Sequence, residues 1–347
     1  MESKRRSHSF RIVIPTRDSA RHIGAFLEEY RRRGLEPLYL VNTATQDGTA
    51  ELLRARNANV LDFSPSGPFA EAGFMEFAAQ HASADWICRF DDDEFPSRAM
   101  MQWIADQGCR SLNPGWNFSR RELFRRDGQI WSSFREGRFN NPRVANYSSS
   151  QVRLFHVERV HYLKEIHTSG FANAYFFADA PKAAFFVHCN CLLRSPAERL
   201  DKIRRYEEMK PLSCWRVADE YLPEIFEFET HHANREGLDE FDRLFSILPM
   251  SEDTDVPPIS EQERRLMNSE IEKLVESVRR GREDYSALKS RNEAAILASE
   301  FEWLRFVPRS LWVLAAASIM AYGRVFHRPS AFALGASIQN YSRGKYF

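Results

Sequence analysis

The chain has 347 residues, 43% of them hydrophobic and 13% aromatic, enough to bury a full core and to carry a second element. Its 48 basic residues balance its 48 acidic ones, so bulk charge offers no grounds for a nucleic-acid partner. Five cysteines, Cys88, Cys109, Cys189, Cys191 and Cys214, with no C-x-x-C pair, argue against a disulfide scaffold or a four-thiolate zinc site.

The N-terminal stretch is basic, but its apolar run stops at Pro15, Arg17 and Asp18, so no secretory leader is expected and a cytoplasmic, reducing setting is. Phe10 to Pro15 reads as a short buried strand ended by proline. Ser19 to Arg33 follows as a helix with Ile23, Phe26, Leu27 and Tyr30 on one face, closed by Gly34. Pro37 to Val41 is a second strand, and it runs into Asn42-Thr43-Ala44-Thr45-Gln46-Asp47-Gly48. Thr49 to Arg56 is a helix, Asn59 to Phe63 a third strand, and Ala70 to His81 a further helix. Trp86 to Phe90 makes a fourth strand that ends in four consecutive carboxylates, Asp91-Asp92-Asp93-Glu94. This alternation predicts an α/β fold with a mostly parallel central sheet flanked by helices. Ligands of such sheets bind beyond the carboxyl ends of the strands.

The middle is less regular. A helix is expected over Ser97 to Gln107, strands over Gln151 to His156 and Lys182 to His188, and an amphipathic helix from Pro196 to Met209 with Leu200, Ile203 and Tyr206 as its apolar stripe. The pattern changes after about residue 235, which places a domain boundary between 1–235 and a mainly helical 236–347 extension. Glu261 to Arg280 is a highly charged helix within it. Residues 301–347 hold six Lys or Arg and one acid, Glu302, around the apolar run Leu311 to Ala321, too short for an easy membrane span. Either a buried packing helix or peripheral contact with the inner face of a membrane suits that run.

Four adjacent carboxylates repel one another and resist desolvation unless a cation offsets them. In an extended backbone Asp91 and Asp93 share one side and Asp92 and Glu94 the other. The first pairing places Asp93 on a divalent metal and Asp91 on ribose or a metal-bound water; the second suits the same chemistry. Oxygen ligands favour magnesium or manganese over zinc. His188 ends a strand and is placed to complete the metal site or meet phosphate, and from the run Arg194, Arg199, Lys202, Arg204, Arg205 it is Arg204 and Arg205 that are expected to meet phosphate, the rest reading as the solvated face of a helix. A proton acceptor is sought among Glu122, Asp127, Glu136, Glu158 and Glu165; Glu165 is preferred because Lys164-Glu165-Ile166-His167 sets acid and imidazole together. Asp47 precedes Gly48-Thr49 and also reads as a helix cap. Neither a dinucleotide fingerprint nor a nucleoside-triphosphatase P-loop occurs.

Ile12-Val13-Ile14-Pro15-Thr16, then Asn42 to Thr49, then Phe90-Asp91-Asp92-Asp93-Glu94, in this order and spacing, resemble the family 2 glycosyltransferases of the GT-A fold. Arg153-Leu154-Phe155, Glu165-Ile166-His167 and His188 resemble elements of some branches, and the similarity spans about residues 10 to 210. The resemblance implies an inverting transferase, active in surface glycan or polysaccharide synthesis, that uses a nucleoside-diphosphate sugar, Mn2+ or Mg2+, and a glycan, lipid-linked or other hydroxyl acceptor. By the same resemblance Pro15, Thr16, Asn42 and Asp47 line the nucleoside pocket, Asp91 and Asp93 hold donor ribose and metal, and His188 meets metal or diphosphate. Two positions depart from the pattern: an amide, Asn42, replaces the usual acid, and Thr168 replaces the acid common after the histidine motif. A noncatalytic sugar-nucleotide or carbohydrate-binding relative, or another nucleotide-dependent enzyme, is the alternative.

Overall fold

The computed structural model describes residues 9–65, 73–111, 113–126, 128–133, 150–160, 162, 171, 177–209, 218–225, 235–253 and 255–280. The chain divides into two compact units, Met1–Gly170 with Phe177–Arg279, and Phe171–Phe176 with Arg280–Phe347. The sheet and the acidic motif belong to the first unit.

The opening half of that unit obeys the alternation of the sequence. Strands β1 (Phe10–Thr16), β2 (Leu38–Asn42), β3 (Asn59–Phe63) and β4 (Trp86–Arg89) are separated by α1 (Ile23–Arg32), α2 (Thr49–Ala55) and α3 (Phe74–His81). Each helix returns the chain to the same edge, so the pairs β3/β2, β2/β1 and β1/β4 are all parallel. Burial on both faces explains the near-continuous apolar runs of β1 and β2. Helix α1 buries Ile23, Phe26, Leu27 and Tyr30, and Tyr30 packs on Phe95 with ring centroids 4.4 Å apart.

The sheet as a whole is mixed, which corrects the expectation of a mostly parallel one. Its ten strands run β3-β2-β1-β4-β8-β6-β10-β5, with β7 and β9 also on β6. Strands β5 (Glu94–Pro96), β6 (Gly115–Arg126), β7 (Gln129–Ser133), β8 (Ser150–His156), β9 (Ala178–Asp179) and β10 (Phe185–His188) make up the second half. Here β4/β8, β8/β6, β6/β7 and β10/β5 are antiparallel. For β6/β7 the physical reason is connection length. A crossover helix is what makes neighbours parallel, whereas β6 and β7 are joined by two residues, with Arg126 opposite Gln129 and Gly128 at φ 72°. Helix α4 (Arg98–Asp106) is capped by buried Ser97, whose Oγ accepts from the Met100 and Phe185 amides.

After β10 come α5 (Asn190–Leu193), α6 (Pro196–Met209), α7 (Ala218–Tyr221), α8 (Asp242–Ile247) and α9 (Glu261–Arg280), of which α8 and α9 fall in the helical extension. Leu200 and Ile203 from α6, Ala218, Leu222 and Met267 of α9 form a small core of their own, with Tyr206 packed against it. No helix among the described residues is long and apolar enough to cross a membrane. The 301–347 segment lies outside the described residues.

Candidate functional site

Strand order places the site. From β1 the chain winds outward through β2 to β3, then returns to set β4 on the other side of β1. The strand order therefore reverses between β1 and β4, and the crevice beyond their carboxyl ends is where open parallel sheets take ligands. Thr16 ends β1 and Asp91-Asp92-Asp93-Glu94 follows β4. Pro15 is tolerated because Val13 O accepts from the Phe90 amide, so the backbone two residues on faces the side where β4 has ended and no N–H is required.

The four acids do not continue the strand. The Glu94 amide donates to Asp91 O at 3.1 Å, and the Cys189 amide donates to Asp93 O at 2.8 Å, which bends the cluster into a turn against β10. Alternation by twos is lost, and the side chains sort differently. Asp91 meets Arg89 at 2.8 Å and Arg153 at 3.5 Å. Glu94, fully buried, takes two bonds from Arg153 Nε and Nη2 at 2.9 and 2.5 Å. Asp93 Oδ1 lies 3.3 Å from His188 Nε2, and its Oδ2 accepts from Arg194 Nη1 at 2.7 Å. Asp92 Oδ2 accepts from Thr16 Oγ1 at 3.0 Å and from Ser19 Oγ.

His188 stands between two acids, because parallel pairing of β10 with β6 sets it beside Glu122, 2.6 Å from Nδ1. Burial pulls its pKa down, but Glu122 and Asp93 outweigh that and raise it to about 10. For Asp93, burial is overcome by His188 and Arg194, which hold its carboxyl well below the usual range. Burial likewise opposes ionisation of Asp91, yet Arg89 and Arg153 bring it to about 2. Asp92 goes the other way: burial and the charge of Asp93 raise it.

Around the crevice several buried polar atoms lack a partner among the described residues. They include Asn42 Nδ2, Thr45 Oγ1 and His22 Nε2. Asn42 Oδ1 accepts from the Ala44 amide, so the group left open is its amide donor. Asp47 stays exposed and is taken up by the neighbouring loop instead. Its carboxylate accepts from the Ala20 amide, the Thr49 amide and the Thr49 hydroxyl, capping α2 and tying the loops after β1 and β2 together.

Of the residues selected from sequence, Asp93 and His188 are in direct contact, Thr16 bonds Asp92 of the same turn and Asp91 faces Arg89 and Arg153, while Pro15 and Asn42 lie at the carboxyl ends of the neighbouring strands β1 and β2. Arg204 is held by Glu263 at 2.7 and 3.2 Å, and the arginine that reaches the acids is Arg194. Glu165 and His167 lie outside the described residues. Nothing in the local sequence pattern assigns a site role to Ser19, His22 or Arg153, and Glu122 reads there only as a base. A hydroxyl and an imidazole in the loop after a strand that ends at the crevice were the available signal for Ser19 and His22.

Among the described residues no three His, Cys, Asp or Glu side chains converge as a closed metal cage. Magnesium and manganese do not need one, since one or two carboxylates plus substrate phosphates and water suffice. Asp92, desolvated and without a cationic partner, is the donor chemistry such an ion fits.

No protein-family description matches the chain, and no curated protein matches it by sequence. Among solved structures it is similar to S. aureus TarS 1-349, at 10% identity over 98% of this chain and 93% of that one, with a TM-score of 0.36. It is also similar to the mannosyltransferase PcManGT from Pyrobaculum calidifontis in complex with GDP-Man and Mn2+, at 14% identity, 95% and 86% coverage and a TM-score of 0.39. A third is glucosyl-3-phosphoglycerate synthase from Mycobacterium tuberculosis in complex with Mn2+, UDP and phosphoglyceric acid, at 14% identity, 57% and 75% coverage and a TM-score of 0.38. Superpositions this loose leave the chemistry to be read from the chain's own residues.

Proposed function

We propose that the chain is a metal-dependent, inverting glycosyltransferase that moves a sugar from a nucleoside-diphosphate donor to an acceptor hydroxyl. The observation that carries this reading is the acidic turn Asp91–Glu94 at the switch point between β1 and β4, with Asp93 set between His188 and Arg194. Asp92 makes no ion pair in that turn, and a cation held there beside Arg194 suits a diphosphate leaving group.

In this reading Thr16 and Asn42 border the nucleoside, with Pro15 leaving β1 open toward it. The open Asn42 amide donor addresses an acceptor on the base edge. Asp91 acts on the donor ribose, Asp93 would hold the cation, and Arg194, with His188 kept protonated between Asp93 and Glu122, draws charge from the departing diphosphate. Bound magnesium or manganese would supply Lewis-acid stabilisation of that charge. The acceptor oxygen attacks the anomeric carbon from the face opposite the diphosphate as the bond to the diphosphate breaks, and Glu165, the base preferred from sequence, takes its proton.

A panel of nucleotide sugars assayed with Mn2+ tests the proposal. Nucleoside diphosphate should be released catalytically from at least one donor, and Asp93→Asn should abolish release while leaving donor-free thermal unfolding cooperative. Undiminished turnover in excess chelator would sink the metal assignment. Binding of a donor without any release, across acceptors, would reassign the chain to a binding relative.

A further inference from the structure

Three of the four acids in the turn already have cationic partners: Asp91 has Arg89 and Arg153, Glu94 has Arg153, and Asp93 has His188 and Arg194. Asp92 has only the Thr16 and Ser19 hydroxyls, both on Oδ2. No hydrogen bond or ion pair to its Oδ1 occurs among the described residues. Two neutral donors on one oxygen fix the direction of a carboxylate without cancelling its charge. Thr16 and Ser19 therefore act as a cradle. They come from the end of β1 and the loop after it, 76 and 73 residues away in sequence, so Asp92 is held at the reversal of strand order between β1 and β4.

A second group marks the same place. His22, only 5% exposed, donates its amide to the carbonyl of Ser19 at 3.0 Å, in the turn whose Ser19 hydroxyl holds Asp92, and its buried Nε2 has no partner. Buried imidazole nitrogens rarely stay unpaired, and one in the turn that holds a carboxylate without an ion pair points to something that binds there.

We infer that Asp92, rather than Asp91, is the second carboxylate that takes the divalent cation beside Asp93, oriented by Thr16 and Ser19, with His22 facing a water or ligand atom of the same ion's shell. The inference rests on the cation-dependent glycosyltransferase reading and changes which side chain does the holding. It reverses the alternation expected of an extended segment. Asp91 is thereby left to its arginines and to the donor.

Manganese binding to the full-length protein without nucleotide, followed by the loss of the free-ion electron paramagnetic resonance signal, separates the two carboxylates. Asp92→Asn preserves the shape and the hydroxyl bonds; it should weaken binding about 100-fold, the upper end of what even the loss of supporting partners costs a metal site. Thr16→Val with Ser19→Ala keeps every charge and should still weaken it roughly 10-fold by freeing the carboxylate. Asp91→Asn should stay within about threefold, because its charge is already matched by arginines. Near-ultraviolet circular dichroism reports whether each variant is folded, and the hydroxyl double variant decides the matter if Asp92→Asn is not. Equal losses for Asp91→Asn and Asp92→Asn, or a larger loss for Asp91→Asn, would overturn the inference and leave the glycosyltransferase reading intact. Wild-type protein that binds no manganese, with or without a nucleoside diphosphate, would overturn both.

Discussion

Arg153 offers the sharpest test of how the acidic turn is supported. It is 2% exposed, its partner Glu94 is fully buried, and the pair makes two contacts at 2.9 and 2.5 Å. The same guanidinium reaches Asp91 and Gln151 and lies over the Phe186 ring, 4.8 Å from its centroid. Arg153→Met keeps the stem against Phe186 and removes the charge, so Glu94 is left buried without a counter-ion. Breaking a buried pair in this way costs about 3–5 kcal/mol, of a total that for a domain is roughly 5–15 kcal/mol. With a urea slope of about 3 kcal/mol per molar, the unfolding midpoint should fall by roughly 1–2 M.

The sign with pH is fixed by Glu94. Burial already pushes its carboxyl above the ordinary value of 4.5, against the pull of Arg153, and losing Arg153 raises it further. A raised carboxyl destabilises the fold at pH above its folded pKa and not below the unfolded one, so the deficit of Arg153→Met should shrink on acidification toward pH 4.5. Glu94→Gln added to Arg153→Met should recover part of the loss at neutral pH, because a neutral amide replaces the orphaned charge. A single-variant cost under about 1 kcal/mol, or a double variant no more stable than Arg153→Met, would show that the pair does not carry the turn.

Three more outcomes are expected from the same contacts. His188 is raised from 6.5 to about 10, so its contribution is full below pH 6.5 and disappears as pH climbs through 10. The stability gap between wild type and His188→Gln should therefore narrow over that window, by up to about 5 kcal/mol, and parallel urea-midpoint curves would refute it. Ser97→Ala removes a buried oxygen that serves both the α4 amide of Met100 and the amide of Phe185, and a loss of about 1–2 kcal/mol in chemical denaturation is expected. Gly128 sits at φ 72°, so Gly128→Ala should cost about 1–2 kcal/mol by the same measurement, with no loss if the turn relaxes to another type.

The first half of the fold is legible because one force dominates it. Strands buried on both faces are read as apolar runs, and the helices between them carry stripes such as Ile23, Phe26, Leu27 and Tyr30. The second half mixes forces. Strand β5 has three residues and starts inside the acidic motif, while β6 interleaves arginines with Phe118, Leu123 and Phe124 because it is shared among four neighbours. One clear signal was present: Asp127-Gly128 between Phe124 and Trp131 is a two-residue hairpin dipeptide, and it would have turned the forecast from parallel to mixed.

The site shows where reading by period stops. Asp91 and Asp93 share a side only while the backbone stays extended, and the hydrogen bond from the Glu94 amide to Asp91 O ends that. What each acid then meets depends on strands far apart in sequence. Arg153 comes from β8, His188 from β10 and Thr16 from β1, and Glu122 meets His188 only because β6 and β10 run parallel in one register. Local pattern thus locates the edge of the sheet where charge gathers. Strand order decides which of those charges is already matched, and Asp92 is the acid that order leaves without a cation.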